Sequence, residues 1–171
     1  GLDRVRTFLG NQQDSSAPYF LMFHLLDPHL PYIWRKSTHP KDWPPPKDLT
    51  GVEWTTNPPI ASFQIFNKEN RVRMPEVKRF YSAAIHHSDI VFEELLSLIE
   101  KDDPLIIVFA DHGEAFAEHY WITHGNSMYD EVVKVPLMMR LPGDKRAGEV
   151  ITTPVSLVDV APTILDIMDI P

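Results

Sequence analysis

The 171-residue sequence has no cysteine, a shortage of positive charge and no apolar run long enough to cross a membrane. Without cysteine, the chain has no disulfides, no thiolate metal ligands and no cysteine nucleophile. A membrane-spanning helix needs roughly 20 apolar residues, and the first 16 positions also lack the apolar core of a signal peptide. We therefore expect no membrane span in this segment. The sequence does not determine the compartment or the oligomeric state.

The charge balance excludes one large class of partner. Sixteen Lys and Arg face 24 Asp and Glu, for a formal net charge of -8. Such a chain repels a polyphosphate backbone, so we expect no nucleic acid partner. A hydrophobic content of 43% suits a globular core of one domain, or a part of one.

Hydrophobic spacing, prolines and polar stretches divide the chain into helices, strands and loops. The pattern predicts the end of a helix at 2–9, a strand buried on both faces at 17–26, a loop at about 27–59, a long helix at 75–101 with Pro75 in its first turn, strands at 105–109 and 135–141, a polar loop at 111–127 and a final helix at 161–168. A helix that feeds a buried strand is typical of a layered α/β sheet protein. The long loop is a candidate rim or lid of a site, lined or pinned by Trp34, Trp43 and Trp54.

The first candidate site follows the strand at 105–109. Asp111 and His112 come directly after this buried run, and ligands of open α/β sheets bind at the carboxyl ends of strands. Carboxylate and imidazole together could form half of a divalent-cation site, and Gly113 would let the backbone pass close to the ion. The alternative is an ordinary turn with a loop cap.

Further candidates lie in two loops. His29 stands between two prolines just after the apolar run, and His124 belongs to the same polar loop as Asp111. Imidazoles beside a metal-bound oxyanion could neutralise charge or protonate a leaving group. Lys134 could orient an anion, although a lysine at a strand edge commonly faces water. The alternative for both histidines is plain solvent exposure.

The remaining polar residues receive structural interpretations. His24 alternates within an apolar strand and is expected to be a hydrogen-bonded core residue behind the site. Solvated or capping roles are expected for His39, His86 and His87. Glu114 and His119 lie near the predicted metal site, but charged loop side chains usually point to solvent.

Four stretches together resemble the sulfatase family of the alkaline phosphatase superfamily. They are FLMFHLLDPHLPY, LIIVFADHGEAFAEH, HGNSMYDEVVKVPLMMRLPG and SLVDVAPTILDIMDI, in the family's order and with the expected helix between the first two. The resemblance implies an alkaline phosphatase-like layered sheet with helices on both faces. It also implies that residues 1–171 are a partial catalytic domain, whose N-terminal strands and C-terminal subdomain lie outside the segment.

The resemblance assigns roles to the candidate residues. Asp111 and His112 would be two ligands of a divalent cation, commonly Ca²⁺, with Mn²⁺ or Zn²⁺ as alternatives. His29 would contact the sulfate, and His124 would bind the anion or assist the leaving oxygen. The best-known sulfatases have Asn at the position of His112, whereas relatives that hydrolyse phosphate or phosphonate esters have His.

The sequence also departs from the family by what it lacks. The family's nucleophile is a formylglycine made within a C/S-x-P-x-R motif, and neither this motif nor the first acidic metal-ligand pair occurs here. We therefore expect an internal slice of a longer metal-dependent hydrolase that acts on a sulfated small molecule or glycan, inactive by itself. The alternatives are a phosphonate or phosphodiester hydrolase or phospho-group transferase of the same superfamily, and a non-catalytic degenerate relative.

Overall fold

A computed structural model describes residues 1–12, 17–30, 32, 35, 68–119, 121–125 and 127–170. Its main helices are α1 (Leu2–Gln12), α2 (Lys68–Ile99) and α4 (Val160–Ile167), with a single short turn of helix, α3, at Asp130–Val133. The predicted helices near both ends of the chain are confirmed. A capping box between Ser156 and Asp159 begins the helical turns that lead into α4.

The long helix is confirmed, but its predicted start at Pro75 is wrong. Helix α2 begins at Lys68, so that Pro75 lies inside it. An interior proline removes one helical hydrogen bond. The segment before it is rich in Lys, Glu, Arg and Met, which favour helix, and the helix continues through the proline. The helix ends in a 3₁₀ turn at Glu100–Asp102.

Two small antiparallel sheets follow α2. Strand β1 (Ile106–Phe109) pairs with β4 (Leu137–Arg140), and Ile106 is opposite Arg140. Strands β2 (Ala115–Phe116) and β3 (Ile122–Thr123) form a hairpin within the segment predicted to be a polar loop. The predicted strands around β1 and β4 are confirmed, and the described residues form a mixed helix and sheet structure.

The predicted strand at 17–26 is wrong for the described part of the chain. This segment is neither helix nor strand, and no described strand pairs with it, so that it has no ladder partner with which to form a sheet. Its side chains alternate between partly buried and exposed, and Phe20, Met22 and Leu26 are on the exposed side. His24 shares that side, so the expected hydrogen-bonded core histidine is also wrong.

Helix α2 contacts two separate parts of the described core. Its C-terminal half faces α1, where Arg6 pairs with Glu94, and its N-terminal half faces the β2–β3 hairpin, where Lys78 pairs with Glu118. The buried apolar side chains are Val5, Tyr32, Val77, Ala83, Ala84, Leu95, Ile99, Ala115, Ile122 and Val132. Helix α2 therefore fixes the hairpin relative to the rest of the structure.

Most of the predicted loop at 27–59 lies outside the described residues, and with it lie His39, Trp34, Trp43 and Trp54. The expected rim or lid stays a prediction. None of the described helices combines the length and the apolar character needed to span a membrane.

Candidate metal and anion site

Asp111 and His112 follow β1 directly, and their position depends on Gly113. The Gly113 amide donates to the Val132 carbonyl at 2.7 Å, and a Cβ added to Gly113 would overlap the backbone carbonyl of Glu131. Only glycine allows the two backbones to approach this closely. The loop after β1 is therefore held against α3, while the predicted passage of the Gly113 backbone close to an ion stays a prediction.

The geometry of Asp111 and His112 suits one divalent cation. His112 Nδ1 is 2.8 Å from the Gly113 carbonyl, which can only accept, so Nδ1 carries the proton and Nε2 keeps its lone pair. That Nε2 is 3.7 Å from Asp111 Oδ1, a separation that one ion bound to both atoms could span. Backbone fixing of the distal ring nitrogen is the usual arrangement of a metal-binding histidine. These two residues therefore fit a metal ion.

The described residues supply only part of a metal site. Among the segments that the structure describes, no group of three or more His, Cys, Asp or Glu side chains is placed to hold one ion. Two ligands alone hold a cation weakly, so further donors are needed for tight binding.

His124 follows strand β3 and lies against His112. The two imidazoles are stacked, with centroids 3.8 Å apart and planes 27° apart. The backbone around His124 is unusual, because Thr123 and Gly125 both have positive φ values, of 70° and 87°. A positive φ is unfavourable for β-branched threonine, and such strain is found preferentially at functional sites.

His29 lies in the turn that follows residues 17–26, and its ring contacts the same cluster as His112 and His124. Its ring centroid is 5.6 Å from that of His124, in an edge-to-face arrangement. Its Nδ1 is 2.7 Å from the Leu30 carbonyl, and its amide donates to the Leu26 carbonyl. The structure thus brings together three of the predicted site residues, His29, His112 and His124, from two distant parts of the chain.

Glu114 beside the cluster is a residue that the sequence prediction placed wrongly. It was expected to point to solvent, but only 9% of its surface is exposed. One carboxylate oxygen accepts the Tyr32 hydroxyl at 2.6 Å, and the other is 3.1 Å from His124 Nδ1. Burial, together with the neighbouring carboxylate, raises the pKa of Tyr32 far above its ordinary value. The local sequence around Glu114 does not indicate that this residue is buried, because its partner Tyr32 is 82 positions away in the chain.

The three clustered histidines share one pattern of hydrogen bonding. In each, Nδ1 faces an oxygen acceptor: the Leu30 carbonyl, the Gly113 carbonyl or the Glu114 carboxylate. This leaves Nε2 as the ring nitrogen available to a ligand in all three. Such a set can bind a cation through a lone pair, or donate to an anion where the ring is doubly protonated.

Two other predicted residues lie apart from this cluster. Lys134 pairs with Asp130 one helical turn earlier, and its side chain is 75% exposed. His119 has a half-exposed side chain, as expected, and it pairs with Glu131 and stacks on Tyr129, with centroids 4.0 Å apart. The structure places neither of them against the three histidines.

The solvated or capping role expected for His87 is wrong. Its Nε2 is 3.6 Å from Asp27 Oδ1, and both side chains are about four-fifths buried, with exposed fractions of 20% and 18%. Arg35 pairs with the same Asp27 oxygen at 2.6 Å. Helix α2 therefore contacts the turn that carries His29.

One carboxylate and two imidazoles follow the ends of β1 and β3, and the imidazole of His29 lies against them from the turn at 27–30. Comparison with known proteins identifies the family: the sulfatase family model matches residues 2–170, and the chain belongs to the sulfatase family. It is 29% identical over 161 residues to an endo-4-O-sulfatase of Bacteroides thetaiotaomicron, and 32% identical over 133 residues to human arylsulfatase K.

The coverage of these alignments is unequal. They include 91% and 75% of this chain, but only 30% and 24% of the two relatives, so the chain spans less than a third of their length. A shorter alignment, 36% identical over 71 residues, links it to an uncharacterized Escherichia coli sulfatase, YidJ. No solved structure gives a significant match. Sulfatases generally use a divalent metal and formylglycine, and they act on sulfated substrates.

Proposed function

We propose that this chain supplies part of the active site of a metal-dependent sulfatase, an enzyme that hydrolyses a sulfate ester. The observation that carries the proposal is the meeting of His29, His112 and His124, with Nδ1 of each ring occupied and Nε2 free for a ligand. Family membership, and the sulfatase names of the relatives, favour sulfate as the anion that this cluster meets.

Each residue of the site would have a separate chemical role. Asp111 and His112 would hold a divalent cation, with Ca²⁺ favoured over Mn²⁺ and Zn²⁺, and the bound metal would neutralise charge that develops on the sulfuryl group. His29 would donate to the sulfate oxygens. His124 would bind the anion or protonate the leaving oxygen. The formylglycine nucleophile would come from outside these 171 residues, since no C/S-x-P-x-R motif is present in them.

The contacts of Lys134 favour a structural role over the substrate-binding role that the sequence suggested. Its pairing with Asp130 and its high exposure favour a structural ion pair at the end of α3. We keep substrate binding by Lys134 as a secondary proposal, tested by Lys134→Met in the whole protein. We also propose that the complete domain has the alkaline phosphatase-like layered sheet, of which residues 1–171 form one part.

The substrate class follows from the same site and from the relatives. An anion site bordered by imidazoles suits the sulfate of a sulfated small molecule or glycan. The name endo-4-O-sulfatase, which belongs to the relative, favours an O-sulfate ester. We expect the chain alone to be inactive, and sustained arylsulfatase turnover by the purified chain would contradict that expectation.

The first experiment measures Ca²⁺ and Mn²⁺ binding by calorimetry, on this chain and on the whole sulfatase that contains it. We expect tight binding only in the whole protein, and its loss in Asp111→Ala. Asp144→Ala is the matched control, because Asp144 is a similarly exposed aspartate that pairs with Arg140 away from the cluster. Equal binding by wild type and Asp111→Ala would overturn the assignment of the metal ligand.

A second candidate function is favoured by one residue. His112, in place of the asparagine of the best-known sulfatases, is a feature of relatives that act on phosphate or phosphonate esters. The whole protein should therefore be assayed on matched aryl sulfate, phosphodiester and phosphonate substrates. A preference for sulfate would support our proposal, and a preference for either phosphorus ester would replace it. No turnover on any of the three, in a protein that has its nucleophile, would favour the non-catalytic degenerate relative.

A further inference from the structure

The Glu114 carboxylate is buried between two donors that come from different parts of the chain. Its side chain is 5% exposed, compared with 27% for His124. Tyr32 donates to Oε2 and His124 Nδ1 lies at Oε1, so both oxygens are used in separate directions. A carboxylate held from two sides cannot rotate without losing one of the bonds.

The tyrosine side of this arrangement is firmly fixed. The Tyr32 ring packs edge-on against Tyr81 of α2, with centroids 5.4 Å apart, and lies 6.4 Å from Phe116 of β2. Tyr81 in turn packs against Phe116 at 5.1 Å. Burial, together with the charge of Glu114, raises the pKa of Tyr81 as well. The hydroxyl that meets Glu114 is thus presented from an aromatic cluster built on the core helix.

We propose that Glu114, anchored by Tyr32, is a positioning residue that fixes the tautomer and the plane of His124. The inference rests on the proposed function for His124, and it deepens that function by explaining how one nitrogen is directed to the substrate. A carboxylate can only accept at Nδ1, so His124 must carry its Nδ1 proton toward Glu114. Nε2 is then the nitrogen directed to the substrate, and it donates to the anion or to the leaving oxygen when the ring carries a second proton.

We call the arrangement in which Tyr32 holds Glu114 and Glu114 holds His124 the clamp. The stacking of His124 on His112 gives the clamp a second consequence. His124 lies 3.8 Å from His112, so a rotation of its ring would disturb a metal ligand as well as the anion contact. The bond to Glu114 opposes that rotation, because turning the ring would break it. Removing the partner that holds a metal-ligating histidine through its far nitrogen typically costs about 10- to 100-fold in metal affinity or activity, and we expect an effect of this order for His124.

The direct test reads the tautomer of His124 in the 171-residue chain. With ¹⁵N-labelled imidazoles, long-range ¹H–¹⁵N spectra distinguish a protonated Nδ1 from a protonated Nε2. We expect the Nδ1–H form in the wild type and a mixture of tautomers in Glu114→Gln, since a carboxamide faces one of the two donors with its oxygen and the other with a donating NH2 group. Glu118→Gln is the control: Glu118 belongs to the same hairpin but pairs with Lys78. An unchanged His124 signal in Glu114→Gln would overturn the proposal.

The kinetic test uses the whole sulfatase. We expect Glu114→Gln to lower kcat by about 10- to 100-fold with little change in KM, while Glu118→Gln stays near the wild-type value. Tyr32→Phe removes one donor and leaves the carboxylate, so we expect a smaller loss of kcat. This variant also keeps the test valid if Glu114→Gln folds poorly. Thermal melts separate a loss of positioning from a loss of structure.

The outcomes distinguish this inference from the function on which it rests. If His124→Ala loses turnover while both Glu114→Gln and Tyr32→Phe keep it, the clamp is wrong and the role of His124 stands. If His124→Ala keeps full turnover, the role of His124 is wrong, and the clamp is decided by the tautomer spectra. A loss of kcat in Glu114→Gln at an unchanged melting temperature supports both.

Discussion

Gly113 sets the geometry of the site at the scale of a single residue. Its amide bonds to Val132, and the space where a Cβ would stand is filled by the Glu131 backbone carbonyl. A carbonyl in a hydrogen-bonded turn cannot swing aside as a flexible side chain can. The position of Asp111 and His112, the proposed metal ligands, therefore depends on a residue that carries no chemistry of its own.

Gly113→Ala should destabilise the protein by about 1–3 kcal/mol, because the added methyl forces two backbone segments apart. Gly10→Ala is the matched control. Gly10 lies in α1 with nothing near the added methyl, so the change should stabilise by about 0.5–1 kcal/mol through helix propensity. Urea unfolding of both variants measures the difference. A similar effect of the two alanines would contradict the close approach at Gly113.

Contact between α2 and the His29 turn matters at the scale of the elements. Asp27, two residues before His29, is held by His87 from the helix and by Arg35 from further along the chain. The His29 amide bonds to the Leu26 carbonyl across the same turn. The helix thus positions His29, the proposed sulfate-contacting histidine, which it does not itself carry.

His87→Ala should loosen this turn. The contact with Asp27 is partly buried and worth about 0.5–1 kcal/mol, so the exchange of the His29 amide with solvent should become about two- to fivefold faster. His86→Ala is the control, since it removes the neighbouring imidazole, for which the described residues show no ion pair. Native-state hydrogen exchange gives the rates. If His29 exchanges equally fast in both variants, α2 does not hold the turn.

The aromatic cluster around Glu114 makes the stability of the whole molecule depend on pH. Burial, reinforced by the Glu114 charge, raises the pKa of Tyr32 and Tyr81 above the ordinary value of 10.0. The unfolded chain therefore loses these protons first as the pH rises. Stability from this source is complete below about pH 10 and falls above it, because the folded state holds protons that the unfolded state has released.

We expect the free energy of unfolding to decline from about pH 10 upward, by up to about 1.4 kcal/mol per pH unit for Tyr32 and by less for Tyr81, which is only partly buried. Tyr32→Phe should make this decline shallower, and the double change with Tyr81→Phe should make it shallower still. Urea midpoints measured between pH 9 and 11.5 test this. A decline of equal steepness in wild type and the double variant would show that the two tyrosines do not cause it.

Local patterns in the sequence were enough to predict the helices α1, α2 and α4 and the strands β1 and β4, because hydrophobic periodicity and proline placement act over a few residues. They also placed Asp111 and His112 after a strand. The start of α2 was missed, since helix propensity before Pro75 outweighed the proline. The segment 17–26 was read as a strand from composition alone, which carries no information about a pairing partner.

Tertiary structure alone decided which polar residues meet. Glu114 and Tyr32 are 82 positions apart, and Asp27 and His87 are 60 apart, so no local pattern could show that these pairs are buried together. The sequence by itself determined the helices α1 and α4, the strands β1 and β4, the family resemblance and the candidate histidines. The fold determined that His29, His112 and His124 share one cluster, and that Glu114 lies beneath it. Burial and pairing are properties of distant segments in contact, and only the folded chain creates them.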